Sequence, residues 1–365
     1  FAIFAYIISH KIKQPSSILT ILIGVLIGPS FLSLLEYNNT IHIMARVGSV
    51  FLLFLAGLTT NFSEIYNKNS LAVGIIGGIL PFIGGIIVGL LFGFDLSVSV
   101  FIGAAITATC LGLTTAMLKE IGKLNTQTAK VMFGAAVVDD VVGLIMLSLA
   151  ITITTGLSII NIVVTILLSF GFIVIATILG TRIIPNMIDA FDRSIGIEKP
   201  KLTFMLGISI VLVFAWLAEF IGLAAIVGAF LAGVSMSRSL SARFLHHGGE
   251  YLEAVFVPIF LIAIGIAVEV STLFNMLPFI VTLSIVAIIT KFFGCGYAAM
   301  KCGMNKRESM IVGMGMAPRG EVAFIISLYG LSLGIIGKDI YTAIVFMSFI
   351  TTIFALTALK RMYEK

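Results

Sequence analysis

The sequence predicts an all-α polytopic membrane protein of about thirteen transmembrane helices. Three observations carry this. The chain is 59% hydrophobic with only 11% charged residues, whereas soluble domains carry about 25% charge, and its mean hydropathy is +1.19. The apolar residues fall into runs of the length that spans a bilayer, about 20 residues. The loops between those runs alternate in charge.

The runs pair up against the basic loops in chain order. A run at 1–9 reads as the end of one span and gives way to Lys11 and Lys13. The runs 17–34 and 41–60 lead to Lys68, and 70–93 and 97–119 lead to Lys119, Lys123 and Lys130. The runs 129–150 and 156–180 lead to Arg182, Arg193, Lys199 and Lys201. Next, 202–219 and 222–237 lead to Arg238 and Arg243. The runs 252–268 and 276–299 lead to Lys301, Lys306 and Arg307, and 309–330 and 339–359 lead to Lys360, Arg361 and Lys365. The opposite loops carry only Lys338. Positive charge marks the cytoplasmic side, so the first span starts outside and the C-terminus lies inside a cell membrane. No cleavable signal peptide is read at Phe1.

The spans also repeat. Leu26-Ile27-Gly28 echoes Leu231-Ala232-Gly233, and the run ending at Gly57 echoes the one ending at Gly265. These offsets pair spans 1–6 with spans 8–13 and leave span 7 as a connector. The expected division is a first repeat over 1–155 with core helices 70–150, a connector over 156–200, and a second repeat over 201–365 with core helices 276–360. Seven spans between equivalents invert the repeats in the membrane, an arrangement that places a transporter's site at the repeat interface.

Polar groups at depth locate that site. Asp139 and Asp140 are adjacent in the apolar run 131–150. One charge at a membrane helix centre costs roughly 2.5–3.5 kcal/mol, so two carboxylates there need a partner, a proton or a cation. Lys291 lies two-thirds along the run 276–299, about 15 Å short of Lys301, and is expected to pair with one aspartate. Pro318-Arg319-Gly320-Glu321 interrupts the run 309–330; proline removes a backbone donor and glycine weakens a helix. Arg319 and Glu321 are expected to neutralise each other and brace the kink. The repeat partner of this span carries Thr107-Ala108-Thr109-Cys110, flanked by Gly103 and Gly112. Hydroxyls and freed carbonyls there are hard oxygen ligands suited to Na⁺ or Li⁺. The second repeat has Met347 and Ser348 where the first has its aspartates, so a single asymmetric carboxylate site is expected. His246 and His247 read as solvated residues of a cytoplasmic loop beside Gly248, Gly249 and Glu250, and Arg46 as reaching the outer interface.

Together the segments Thr107–Cys110, Gly134–Gly143, Lys291 and Pro318–Val322 resemble the monovalent cation:proton antiporter-2 family, nearest its Nap-type Na⁺/H⁺ antiporters. The resemblance spans essentially the whole chain. It implies a homodimer and two crossed, partly unwound helices. It also implies that Asp140 is the main ion-binding carboxylate and that Asp139 pairs with Lys291; the expected mechanism is that Na⁺ and H⁺ compete for Asp140 and that Lys291 carries a second proton. Thr107 and Thr109 would lie at the crossing, with Arg319 and Glu321 bracing it. Cys110 stands where relatives often have serine. Potassium-efflux relatives usually carry Gln-Asp in place of Asp-Asp, so K⁺/H⁺ exchange is the alternative; an ion channel or a sensor fits an asymmetric site less well. No nucleophile–base arrangement, phosphate loop or metal cluster is read, so neither enzymatic activity nor a cofactor is expected. The basic residues sit in short loops, which speaks against nucleic acid, and the three cysteines read as neither a disulfide framework nor a metal site.

Overall fold

A computed structural model describes residues 3–4, 7, 16–59, 68–110, 114–115, 117–118, 121–123, 126–154, 164, 167–168, 171–172, 174–175, 178–179, 183–196, 200–221 and 225–364. Lys11, Lys13, Gly112, Lys119, Arg182, Lys199 and Lys365, with most of the runs 1–9 and 156–180, lie outside them. Among the described residues every regular element is helical.

The α-helices are α1 (Ser16–Ile27), α2 (Asn39–Thr59), α3 (Lys68–Leu91), α4 (Leu96–Ala105), α5 (Gln127–Thr154), α6 (Ile184–Phe191) and α7 (Pro200–Phe220). They continue as α8 (Ala225–Met236), α9 (Ala242–Ile266), α10 (Leu277–Lys301), α11 (Lys306–Gly315), α12 (Glu321–Ser332) and α13 (Lys338–Glu364). Seven described helices are long and apolar enough to cross a membrane: those over 39–59, 68–91, 127–154, 201–220, 242–266, 277–301 and 338–364.

The chain divides into two compact units, one of Phe1–Asn61 with Leu157–Ile266 and the other of Phe62–Gly156 with Ala267–Lys365. In the first unit α1 packs on α9 and α2 on α8 and α9. Glycine makes these contacts possible. A Cβ on Gly24 would fall 2.4 Å from the Ile262 carbonyl oxygen and 3.0 Å from the Gly265 Cα. A Cβ on Gly57 would fall 2.2 Å from the Phe230 carbonyl oxygen and 3.1 Å from the Gly233 Cα. Backbones approach this closely in membranes only where both faces carry small residues. In the second unit α3 packs on α4, α5 and α10, while α10 packs on α11 and α13.

Three expectations need correcting. The run 17–34 does not stay helical: α1 stops at Ile27, because Pro29 follows Gly28 and the residue before a proline is driven out of helical conformation. The segment 180–200 is not all loop; it forms α6 and a π-helical turn, Asp192–Gly196. His246 and His247 are not in a loop either, because α9 already begins at Ala242. Their neighbours Gly248 and Gly249 serve packing, not turning: a Cβ on either would meet Phe204 or Leu55 at 2.6 Å. On the helix, His247 Nδ1 lies 2.9 Å and His246 Nδ1 3.5 Å from the Glu250 carboxylate.

Candidate functional site

The helix breaks lie within the second unit. α4 ends at Ala105 and residues 106–110 leave the helical path. α11 ends at Gly315, residues 316–320 are non-helical, and α12 starts at Glu321. The two breaks meet: the Cys110 N–H donates to the Pro318 carbonyl at 2.9 Å. Gly320 has to be glycine there, since a Cβ would sit 2.7 Å from both Cβ and Sγ of Cys110.

Breaking a helix orphans carbonyls, and buried carbonyls need donors. Each break is satisfied largely by the other. The Thr114 hydroxyl donates to the Gly315 carbonyl (3.0 Å) and the Thr109 hydroxyl to that of Met316 (3.1 Å). In the other direction Arg319, 1% exposed, reaches back to the first break. One terminal nitrogen donates to the Thr107 and Ala108 carbonyls, both at 3.0 Å, and the other to the Ala287 carbonyl on α10 at 3.3 Å. The expected Arg319–Glu321 neutralisation cannot be drawn, as the Glu321 side chain lies outside the described residues. Among the described residues the hydrogen-bond acceptors of the guanidinium are these backbone carbonyls.

Beside this crossing stand the acidic pair and the lysine. Lys291 on α10 donates to Asp139 Oδ1 at 2.5 Å, and both side chains are 0% exposed. The same Thr109 hydroxyl lies 2.7 Å from Asp139 Oδ2, so its single proton is shared between that carboxylate and the Met316 carbonyl. Both oxygens of Asp139 are therefore engaged. Asp140, one residue on, is only half-buried, with Oδ1 shielded from solvent. The structure thus brings Asp139, Lys291 and Thr109 into direct contact, while the Thr107 hydroxyl turns away to the Gly103 carbonyl (2.9 Å). An ion pair at this depth survives only with such geometry, because removing both charges from water costs several kcal/mol per ion.

Two features, one at the site and one away from it, were not read from the sequence. Gly77 and Gly78 on α3 let the ion pair approach: a Cβ on Gly77 would fall 2.4 Å from Cys295 Sγ and 3.6 Å from Lys291 Nζ, and one on Gly78 3.4 Å from Asp139 Oδ1. Their signal was present as the i, i+3, i+4 stripe Gly74, Gly77, Gly78, the spacing of one helix face. In the first unit, Arg46 on α2 is ion-paired with Glu219 on α7, both half-exposed. The single acidic residue of the run 202–219 was its signal.

The whole chain, residues 1–365, matches the family described as sodium/hydrogen exchanger, transmembrane. It is 33% identical over 359 residues to the Na(+)/H(+)-K(+) antiporter GerN of Bacillus cereus, covering 97% of this chain and 91% of that one. It is 29% identical to a Na(+)/H(+) antiporter of Enterococcus hirae, covering 98% and 94%. The solved structure of the sodium proton antiporter MjNhaP1 from Methanocaldococcus jannaschii at pH 8 shares its fold, with a TM-score of 0.78 at 17% identity over 99% of this chain and 93% of that one. The antiporter-2 label expected from the motifs is slightly off this match; the sodium/proton antiporter expectation stands. The chain belongs to the sodium/hydrogen exchanger family.

Proposed function

We propose that this protein is a multi-pass membrane antiporter that exchanges Na⁺, or Li⁺, for H⁺ by alternating access. The observation that carries the reading is the buried Lys291–Asp139 ion pair beside the half-buried Asp140. Asp139 spends its oxygens on Lys291 and Thr109. Asp140, half-buried beside that pair, is assigned as the main ligand for Na⁺ and for the proton that competes with it. Thr109 then orients Asp139, and Arg319 satisfies the carbonyls of the first break, including that of Thr107. A Na⁺ arriving at Asp140 expels its proton and draws Asp139 away from Lys291, which releases a second one; the pair titrates as a unit. That scheme makes exchange electrogenic.

The same reading includes the inverted repeats and the orientation with the C-terminus in the cytoplasm. The recurrence of glycine contacts supports the repeats. α1 meets α9 at Gly24 and Gly265, and α2 meets α8 at Gly57 and Gly233, pairs that exchange under an offset of about 208 residues. Cys110 and Pro318 exchange under the same offset. Homodimer assembly rests on the family resemblance. A K⁺ reading is kept because the Bacillus cereus relative is named for K⁺ as well as Na⁺.

Reconstituted vesicles test the function. Pulses of Na⁺, Li⁺ and K⁺ should drive proton movement with Na⁺ most effective, and Asp140→Asn should abolish it. Retained exchange in Asp140→Asn refutes the site assignment, and a response to K⁺ alone selects the second reading.

A further inference from the structure

The hydroxyl groups of α13 do not all do the same thing. Ser348 donates to the Ile344 carbonyl at 2.9 Å and Thr351 to the Ser348 carbonyl at 3.1 Å, both within their own helix, as buried hydroxyls in membrane helices commonly do. Thr352, 2% exposed, points elsewhere. Its hydroxyl leaves α13 and donates to the Arg319 carbonyl at 2.7 Å, in the middle of the second helix break.

The partners of the other carbonyls around that break show what this bond adds. The Met316 and Pro318 carbonyls are held by Thr109 and Cys110 of the first break, and that of Gly315 by Thr114 beyond it. The Gly320 carbonyl already receives the Phe324 N–H of α12 at 3.1 Å. The Arg319 carbonyl is instead tied to α13. Its residue is also the one whose guanidinium holds Thr107, Ala108 and Ala287. The peptide that Thr352 fixes is therefore the root of the side chain that spans both breaks and α10. A rotation of that peptide would swing the guanidinium and loosen the segment from which Thr109 reaches Asp139.

We propose that Thr352 is a positioning residue of the exchange site, holding the Arg319 peptide so that the guanidinium and Thr109 keep Asp139 and Lys291 in register. This rests on the exchange reading above. Thr352 touches neither ion nor proton; it acts through Arg319.

The test uses the full chain in vesicles, comparing Thr352→Val, Thr352→Ser and Thr351→Val by Na⁺ KM, maximal rate and pH profile, normalised to folded protein. Thr352→Val should raise the Na⁺ KM roughly three- to tenfold, the size of a lost buried hydrogen bond, and move the pH profile. Thr352→Ser, which keeps the hydroxyl, should stay within about twofold of the parent, as should Thr351→Val, whose hydroxyl stays within α13. Equal KM and pH profiles for Thr352→Val and Thr351→Val overturn the proposal. If Thr352→Val does not assemble, Thr352→Ala takes its place, and identical behaviour of the Ala and Ser variants overturns it equally. A parent protein that moves no protons on a Na⁺ pulse refutes the exchange reading instead, which separates the two failures.

Discussion

Adding one methyl group at Gly77 probes how tightly the ion pair is held. In Gly77→Ala the new Cβ lands 2.4 Å from Cys295 Sγ, where heavy atoms rest at about 3.5–4.0 Å. The deficit exceeds an ångström, and the sulfur has nowhere to go. Cys295 is fully buried and its Sγ already faces the Val73 carbonyl of α3 at 3.7 Å. The strain must part α3 from α10 one turn beyond Lys291, whose Nζ is 3.6 Å from the same Cβ. Overpacking of this kind costs about 1–3 kcal/mol. Purified Gly77→Ala should melt at a lower temperature and exchange more slowly. Adding Cys295→Ala removes the offending sulfur, so the double variant should recover most of both losses. The coupling between the two sites should be about 0.5–3 kcal/mol. Strictly additive effects would refute the packing argument.

Other perturbations separate the roles of the charges. Lys291→Gln leaves Asp139 buried without its cation and should be destabilised by about 3–5 kcal/mol, whereas Lys291→Gln with Asp139→Asn should melt closer to the parent. A double variant no more stable than the single one contradicts this. Whatever exchange Lys291→Gln retains should depend less on membrane potential, measured under imposed diffusion potentials. Arg46→Ala breaks a half-exposed pair worth below about 1 kcal/mol. It should leave exchange intact and change the melting temperature little; a large loss of activity would mean that the pair serves transport.

Much of the helical plan was legible because a bilayer imposes a simple code. Apolar runs, basic loops and the helix-breaking Pro318 and Gly320 are local features. The end of α1 at Ile27 was written in Gly28-Pro29, yet lay hidden inside a continuously apolar stretch. The start of α9 was misread because Gly248 and Gly249 look like a turn, while their use is to admit Phe204 and Leu55. Whether a glycine bends the chain or makes room depends on a neighbour remote in sequence. The same limit applies at the site. Asp139, Asp140 and Lys291 stand out by the cost of their burial. That Arg319 would turn to carbonyls about 210 residues away, or that Thr352 would differ from Thr351 beside it, is decided by which helices cross.

The reach of Arg319 into the first break has an electrical consequence. Counted over Asp139, Asp140, Lys291 and Arg319, the charges cancel when every group is ionised. Protonating Asp140 to load the exchanger then leaves the cluster at plus one, since the guanidinium is bolted to three carbonyls and stays charged throughout. Filling the site with Na⁺ while Lys291 and Asp140 both shed protons returns it to zero. On the proposed exchange scheme the proton-loaded form therefore carries one more positive charge than the sodium-loaded form, a difference that holds whether or not Glu321 neutralises Arg319. An inside-negative voltage, at about 2.3 kcal/mol per charge for each 100 mV, would then bias the two forms differently by that one charge.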